Sequence, residues 1–174
     1  REILSSNTFK IYTSNDIKGI ELAGALKNIY AIISGYCHSL DVGENAIGLI
    51  LTRSMAEMSN FAVNKGANPI TFLGLAGMGD LVATCFSKLS RNYQFGWAIG
   101  EGLDIEAAKY KVGQVAEGLN TIRIIHNEIS SSKIKMPLVS GMHEILFNNG
   151  SKELLLEQII NSDIYVDVNF DVES

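Results

Sequence analysis

The chain has 174 residues, 47% hydrophobic and 19% charged, enough to bury one sizeable core and to exclude a disordered chain. Its net charge of -5, with no tract of lysine and arginine, argues against nucleic acid or an anionic membrane surface as the main partner, while leaving room for a local basic pocket that takes a small anion. Cys37 and Cys85 have neither disulfide nor zinc-site spacing and fit a reducing, cytoplasmic setting; no apolar run approaches the ~20 residues that span a bilayer, and the start lacks a signal-peptide core.

With two prolines in the chain, long helices are expected. "FKIYTSND" alternates like a short strand, and Asn15 and Asp16 then cap a helix from about Ile17 to Ser39. "AIGLILTRSMAEMSNFAVNKG" carries apolar residues at Ile47, Leu51, Met55, Met58 and Ala62 and ends at Gly66, a C′ glycine. Asn68 and Pro69 start a short helix that Gly74 and Gly77 stop, and Gly79 and Asp80 open another. Ser90 caps the next, which ends at Gly100 or Gly102, and Asp104 caps "IEAAKYKVG". "AEGLNTIRIIHNEISSS" and "PLVSGMHEILFNN" read as amphipathic helices, "SKELLLEQII" as a short last one, and the acidic tail as an edge strand or loose extension. The fold class is all-α. No strand, glycine loop and helix follow one another in the way that binds a dinucleotide.

Three polar clusters interrupt the apolar pattern. Lys27 and Asn28 sit in "ELAGALKNIYAI", a helix apolar on most faces, where an unpaired ammonium is costly. Two readings stand: an ion pair with Asp80, or a cleft in which something binds. Asp80 and Thr84 are one turn apart and share a helix face, placed to grip one ligand hydroxyl. Ser90, Arg91 and Asn92 begin a helix, where free amides favour an anion and a guanidinium can fork onto two phosphate oxygens; the plain alternative is a cap beside a solvated arginine. Met55, Met58, Phe72 and Trp97 read as core, and His38, His126 and His143, with no ligand spacing, as core-edge or surface residues, so that no metal site is expected.

"GIELAGALKNIYAI", "GLAGMGDLVATCFSKLSRNYQFG" and "GQVAEGLNT", in this order, resemble the C-terminal domain of bacterial NAD(P)-dependent glycerol-3-phosphate dehydrogenase, over about Asp16 to Gln158. The resemblance implies a multi-helix substrate domain similar to that of 6-phosphogluconate dehydrogenase at 16–160. It makes 1–15 the end of a Rossmann domain and its linker, and leaves 161–174 as an acidic tail. It implies reduction of glycerone phosphate to sn-glycerol 3-phosphate, for glycerophospholipid synthesis, with NAD or NADP held mainly by the absent Rossmann domain, so that this chain alone is expected to be inactive. Lys27 matches the catalytic lysine; Asn28, Asp80 and Thr84 match residues around the substrate hydroxyls and carbonyl. Ser90, Arg91 and Asn92 match the phosphate segment, and Arg91, Val115 and Glu117 match cofactor contacts. A homodimer is the family-level expectation. "GYCHSLDVGEN" and Lys18 depart from the pattern without touching a motif residue. The rival readings are a 3-hydroxyisobutyrate-type dehydrogenase, whose asparagine lies about a turn beyond its lysine, and a non-catalytic helical dimerisation module.

Overall fold

A computed structural model describes residues 3–151 and 154–155. Among the described residues seven α-helices of a turn or more follow one another: α1 (Ile17–Ser39), α2 (Glu44–Asn64), α3 (Asp80–Cys85), α4 (Arg91–Gly100), α5 (Ile105–Val112), α6 (Glu117–Ser130) and α7 (Pro137–Phe147). A 3-10 turn at Pro69–Leu73 and a π turn at Leu75–Gly79 lead into α3. No strand occurs among the described residues, and no helix among them is long and apolar enough to cross a membrane. The all-α reading holds.

α1 is the axle of the fold. Beyond its first turns it is apolar on most faces, so it buries Ala23, Leu26, Ile29, Tyr30, Ile32, Ile33 and Tyr36 against α2, α3, α4 and α6 at once. The crossing with α4 is close because it is lined by glycines: a Cβ on Gly96 would lie 1.9 Å from the Ile32 carbonyl oxygen, and one on Gly35 would lie 2.0 Å from that of Tyr93. Both obstacles are backbone, so neither helix can yield without opening the crossing. Gly96→Ala is therefore expected to cost at least about 1–3 kcal/mol in chemical denaturation, as overpacking does. Gly48→Ala, at an exposed helical position with open space around it, is expected to be neutral or to stabilise by about 0.5–1 kcal/mol.

The caps read from sequence form as expected. The side chains of Asp16, Asn68, Ser90 and Asp104 accept from the amides of Gly19, Ile70, Tyr93 and Ala107. Gly66, at φ +85, and Gly113, at φ +69, end α2 and α5 in the left-handed region. Asp16 does more than cap. Its other oxygen accepts from the Asn68 amide at 2.9 Å and the Thr71 hydroxyl at 2.6 Å, tying the start of α1 to the 3-10 turn. These bonds, the one from Thr71 above all, hold its carboxyl below the usual aspartate value.

Four expectations need correction. "FKIYTSND" makes no strand, because it finds no second strand to pair with. α2 begins at Glu44, ahead of the apolar run, with Gly43 as its N-cap. Gly74 ends the 3-10 turn and Gly79 and Asp80 open α3 as expected, but Gly77 stops nothing: it lies inside the π turn, which runs straight into α3. Trp97 stands at the edge of the core, its indole N–H donating to Glu101 at 3.1 Å. Of the last expected helix only Leu154 and Leu155 are described, both helical; its other residues beyond Ser151 and the acidic tail lie outside the described residues.

Candidate active site

Lys27 sits in mid-helix on α1 and not at a helix end. What removes the cost of its charge is α3, which is fastened across α1 at both ends. The Asp16 tether and the two successive turns deliver its N-terminus, and the Ser34 hydroxyl donates to the Cys85 carbonyl at 2.8 Å at its C-terminus. Asp80 is thereby brought to Lys27, and the two form an ion pair and hydrogen bond.

Both readings of the lysine are therefore present in one arrangement. The pair exists, and it is not sealed: the lysine side chain is 22% exposed and that of Asp80 41%. Lys27 keeps donor hydrogens beyond the one given to Asp80, and the opening lets them face a ligand. Thr84, one turn along α3, donates its hydroxyl to the Asp80 carbonyl at 2.6 Å and lies 3.4 Å from the Asp80 carboxylate. Its oxygen lone pairs remain available as acceptors.

Asn28, next along α1 from Lys27, is tied through Asn92 to the start of α4. The Asn92 amide nitrogen donates to the Asn28 side-chain oxygen at 3.0 Å, while its oxygen accepts from the Gly118 backbone N–H at 2.9 Å. Asn92 is only 7% exposed, so this chain ties α1, α4 and α6 at one level. Gly118 is what sequence reasoning missed. No local pattern marks it: a Cβ there would lie 2.5 Å from the carbonyl oxygen of the distant Asn28 and push α6 off α1.

Arg91 and Glu117, each beside a member of that chain, close the arrangement, with Arg91 Nη2 3.7 Å from Glu117 Oε1 and both side chains about half in solvent. Ser90 holds the start of α4 with its hydroxyl, and the first amides of the helix, at Arg91 and Asn92, have no partner within it. Val115 is largely exposed just ahead of α6. The described structure thus forms two bonded groups, Lys27 with Asp80 and Thr84, and Asn28 with Asn92 and Gly118, joined by the neighbouring positions Lys27 and Asn28 on α1, with Arg91 and Glu117 on the flank of the second. A separate cavity of about 340 Å³ between α4 and α5, lined by Lys88, Tyr93, Gln94, Trp97, Lys111 and Val112, contains none of them.

Such a network can do particular chemistry. A partly exposed ammonium, held by a carboxylate and next to hydroxyl and amide groups, can stabilise an oxyanion that develops at a carbonyl and hand it a proton. A helix start with an arginine beside it can hold an anion at fixed distance from that ammonium.

The family described as the C-terminus of NAD-dependent glycerol-3-phosphate dehydrogenase matches residues 16–157. Glycerol-3-phosphate dehydrogenase (NAD(P)+) of Pseudomonas savastanoi pv. phaseolicola is 50% identical over 167 residues, covering 96% of this chain and 49% of that protein. The same enzyme of Pseudomonas syringae pv. tomato is 49% identical over the same shares. The crystal structure of glycerol-3-phosphate dehydrogenase from Coxiella burnetii superposes with a TM-score of 0.86 at 37% identity, covering 92% of this chain and 50% of that one. The structure of DsGPDH of Dunaliella salina, at 23% identity and a TM-score of 0.80, shows the same fold. The chain spans about half the length of the curated relatives it matches.

Proposed function

This chain belongs to the family of NAD-dependent glycerol-3-phosphate dehydrogenase C-terminal domains, and we propose on that footing that it binds glycerone phosphate and supplies the proton in its reversible reduction to sn-glycerol 3-phosphate. The observation that carries the reading is the half-open Lys27–Asp80 pair, lying inside the segment that matches the family. A 3-hydroxyisobutyrate-type dehydrogenase is disfavoured by the same matches, and by Asn28 being adjacent to Lys27 rather than a turn away.

Lys27 is the catalytic residue. As the ketone oxygen gains negative charge, its ammonium stabilises that charge and donates the proton. Asp80 keeps the lysine aimed, and Thr84 and Asn28 accept from or donate to the substrate oxygens. Asn92 holds Asn28 in place and, with Ser90 and Arg91, receives the phosphate. Fixing the phosphate fixes the carbonyl. The nicotinamide of NAD or NADP supplies the hydride when bound. Exposed Val115, Arg91 and Glu117 fit the flank of a dinucleotide; the described residues offer no glycine-rich turn after a strand for its pyrophosphate, so most of its binding falls to a dinucleotide-binding unit outside this sequence. A cytoplasmic setting, a homodimer and supply of glycerophospholipid precursors belong to the same reading. The first is supported by two free thiols, Cys37 and Cys85.

The test is turnover by the dehydrogenase that carries this chain. Oxidation of NADH or NADPH dependent on glycerone phosphate is expected, and activity confined to a hydroxyisobutyrate-type substrate would overturn the assignment. Arg91→Lys keeps the charge and loses the fork, so it should raise KM for glycerone phosphate while largely sparing kcat. Unchanged kinetics in that variant would remove Arg91 from the phosphate site.

A further inference from the structure

Far along α6 from the network, three metal-ligating side chains meet. His126 on α6 and His143 on α7 stack face to face, their ring centroids 3.7 Å apart and planes 7° from parallel. Glu144 stands beside them, with an oxygen 3.8 Å from His143 Nδ1. One ligand atom from each of the three residues lies within 4.8 Å of the others. His143 Nδ1 is buried and has no hydrogen-bond partner, a state that ordinarily costs free energy and calls for an explanation.

We infer that His126, His143 and Glu144 form a binding site for a borderline divalent transition-metal ion, of which Zn2+ is the type. Two imidazoles and a carboxylate are a set that zinc takes with water in its fourth position. Stacked rings aim their lone pairs along parallel planes, so binding requires one imidazole, that of His126, to turn and Glu144 to swing inward. Both side chains are only partly buried and are placed to do so. The oxygens of Glu144 now accept from the Asn148 side chain at 3.0 Å, and that bond would orient the carboxylate on the metal or be exchanged for it.

A metal takes imidazole only in its neutral form, so binding at this site weakens as pH falls. The opposing charge is Arg123, on α6, whose guanidinium lies over the Phe147 ring at 4.3 Å. Glu144 offsets it. The histidines are 17 positions apart on two helices, so no local spacing in the sequence could have shown the site.

The experiment uses the purified chain stripped with chelator and titrated with Zn2+, and separately with Mg2+, at neutral pH. One saturable Zn2+ equivalent, a rise in melting temperature and no response to Mg2+ are expected. In the wild-type chain Zn2+ should shift the imidazole resonances of His126 and His143 and leave those of His38 in place, a readout that needs no variant. His126→Ala and Glu144→Gln should each weaken Zn2+ binding by at least about 10-fold, the smaller end of the effect of losing even an outer partner. His143→Ala should abolish it. No saturable binding, shifts confined to His38, or unaltered affinity in His126→Ala would each overturn the site.

Discussion

Lys27→Met should lower kcat of the active dehydrogenase by about 10²–10⁴, the range for a lost general acid, and by more if oxyanion stabilisation goes with it. It should also leave the melting temperature nearly unchanged. A sealed ion pair would behave the other way, since removing one partner strands a buried charge at a cost of about 3–5 kcal/mol. Here Asp80 has 41% of its side chain in solvent, so the carboxylate left behind is hydrated, and the pair itself is worth at most about 1 kcal/mol. Steady-state rates and thermal unfolding on the same substitution separate the two. A large stability loss with near-normal kcat would remove Lys27 from the chemistry. Asp80→Asn sharpens the test: it keeps the shape of the side chain and drops the charge that aims the ammonium, so kcat should fall, with KM changing less.

How much of this could be read beforehand depended on distance along the chain. Helix starts at Asp16, Ser90 and Asp104 were legible because a cap and the amide it serves lie three residues apart. The pairing of Lys27 with Asp80 was legible as one of two readings, since an ammonium at Lys27 in an apolar helix announces a partner or a cleft. Which of the two was not legible. It turns on how α3 lies across α1, and that is set by the bonds from Asp16 to the 3-10 turn, more than 50 positions away. The link from Asn28 to Asn92 is of the same kind, as is the stacking of His126 on His143. The expected strand at "FKIYTSND" failed for a related reason: alternation is local, but a strand exists only with a partner.

The clearest case of a long-range device is the start of α7, where Met136 at the N-cap offers no side-chain acceptor. The cap comes from α2 instead. Glu57, 5% exposed, accepts from the Leu138 amide at 2.7 Å and, through its other oxygen, from the Tyr30 hydroxyl at 3.1 Å. Glu57→Ala orphans these two buried donors at about 1–3 kcal/mol each, so a loss of at least about 2 kcal/mol is expected in denaturation. The charge adds a pH dependence. Burial pushes the Glu57 carboxyl up to about 8, against the pull of the Leu138 amide, the Tyr30 hydroxyl and Arg53. Between its ordinary value and about 8, the folded chain keeps a proton that the unfolded chain has released. Stability is therefore full below the ordinary glutamate value and declines as pH rises toward about 8, with a slope of up to about 1.4 kcal/mol per pH unit. Glu57→Gln mimics the protonated form: its oxygen can still accept from Leu138, and its amide can donate to Tyr30. Below pH 5 it should match the parent within about 1 kcal/mol, the scale of one exchanged hydrogen bond. Near pH 8 it should be the more stable of the two. The difference between parent and Gln variant across that range isolates Glu57 from every other titrating group, and a flat difference would show that the carboxyl is ionised in the folded chain throughout.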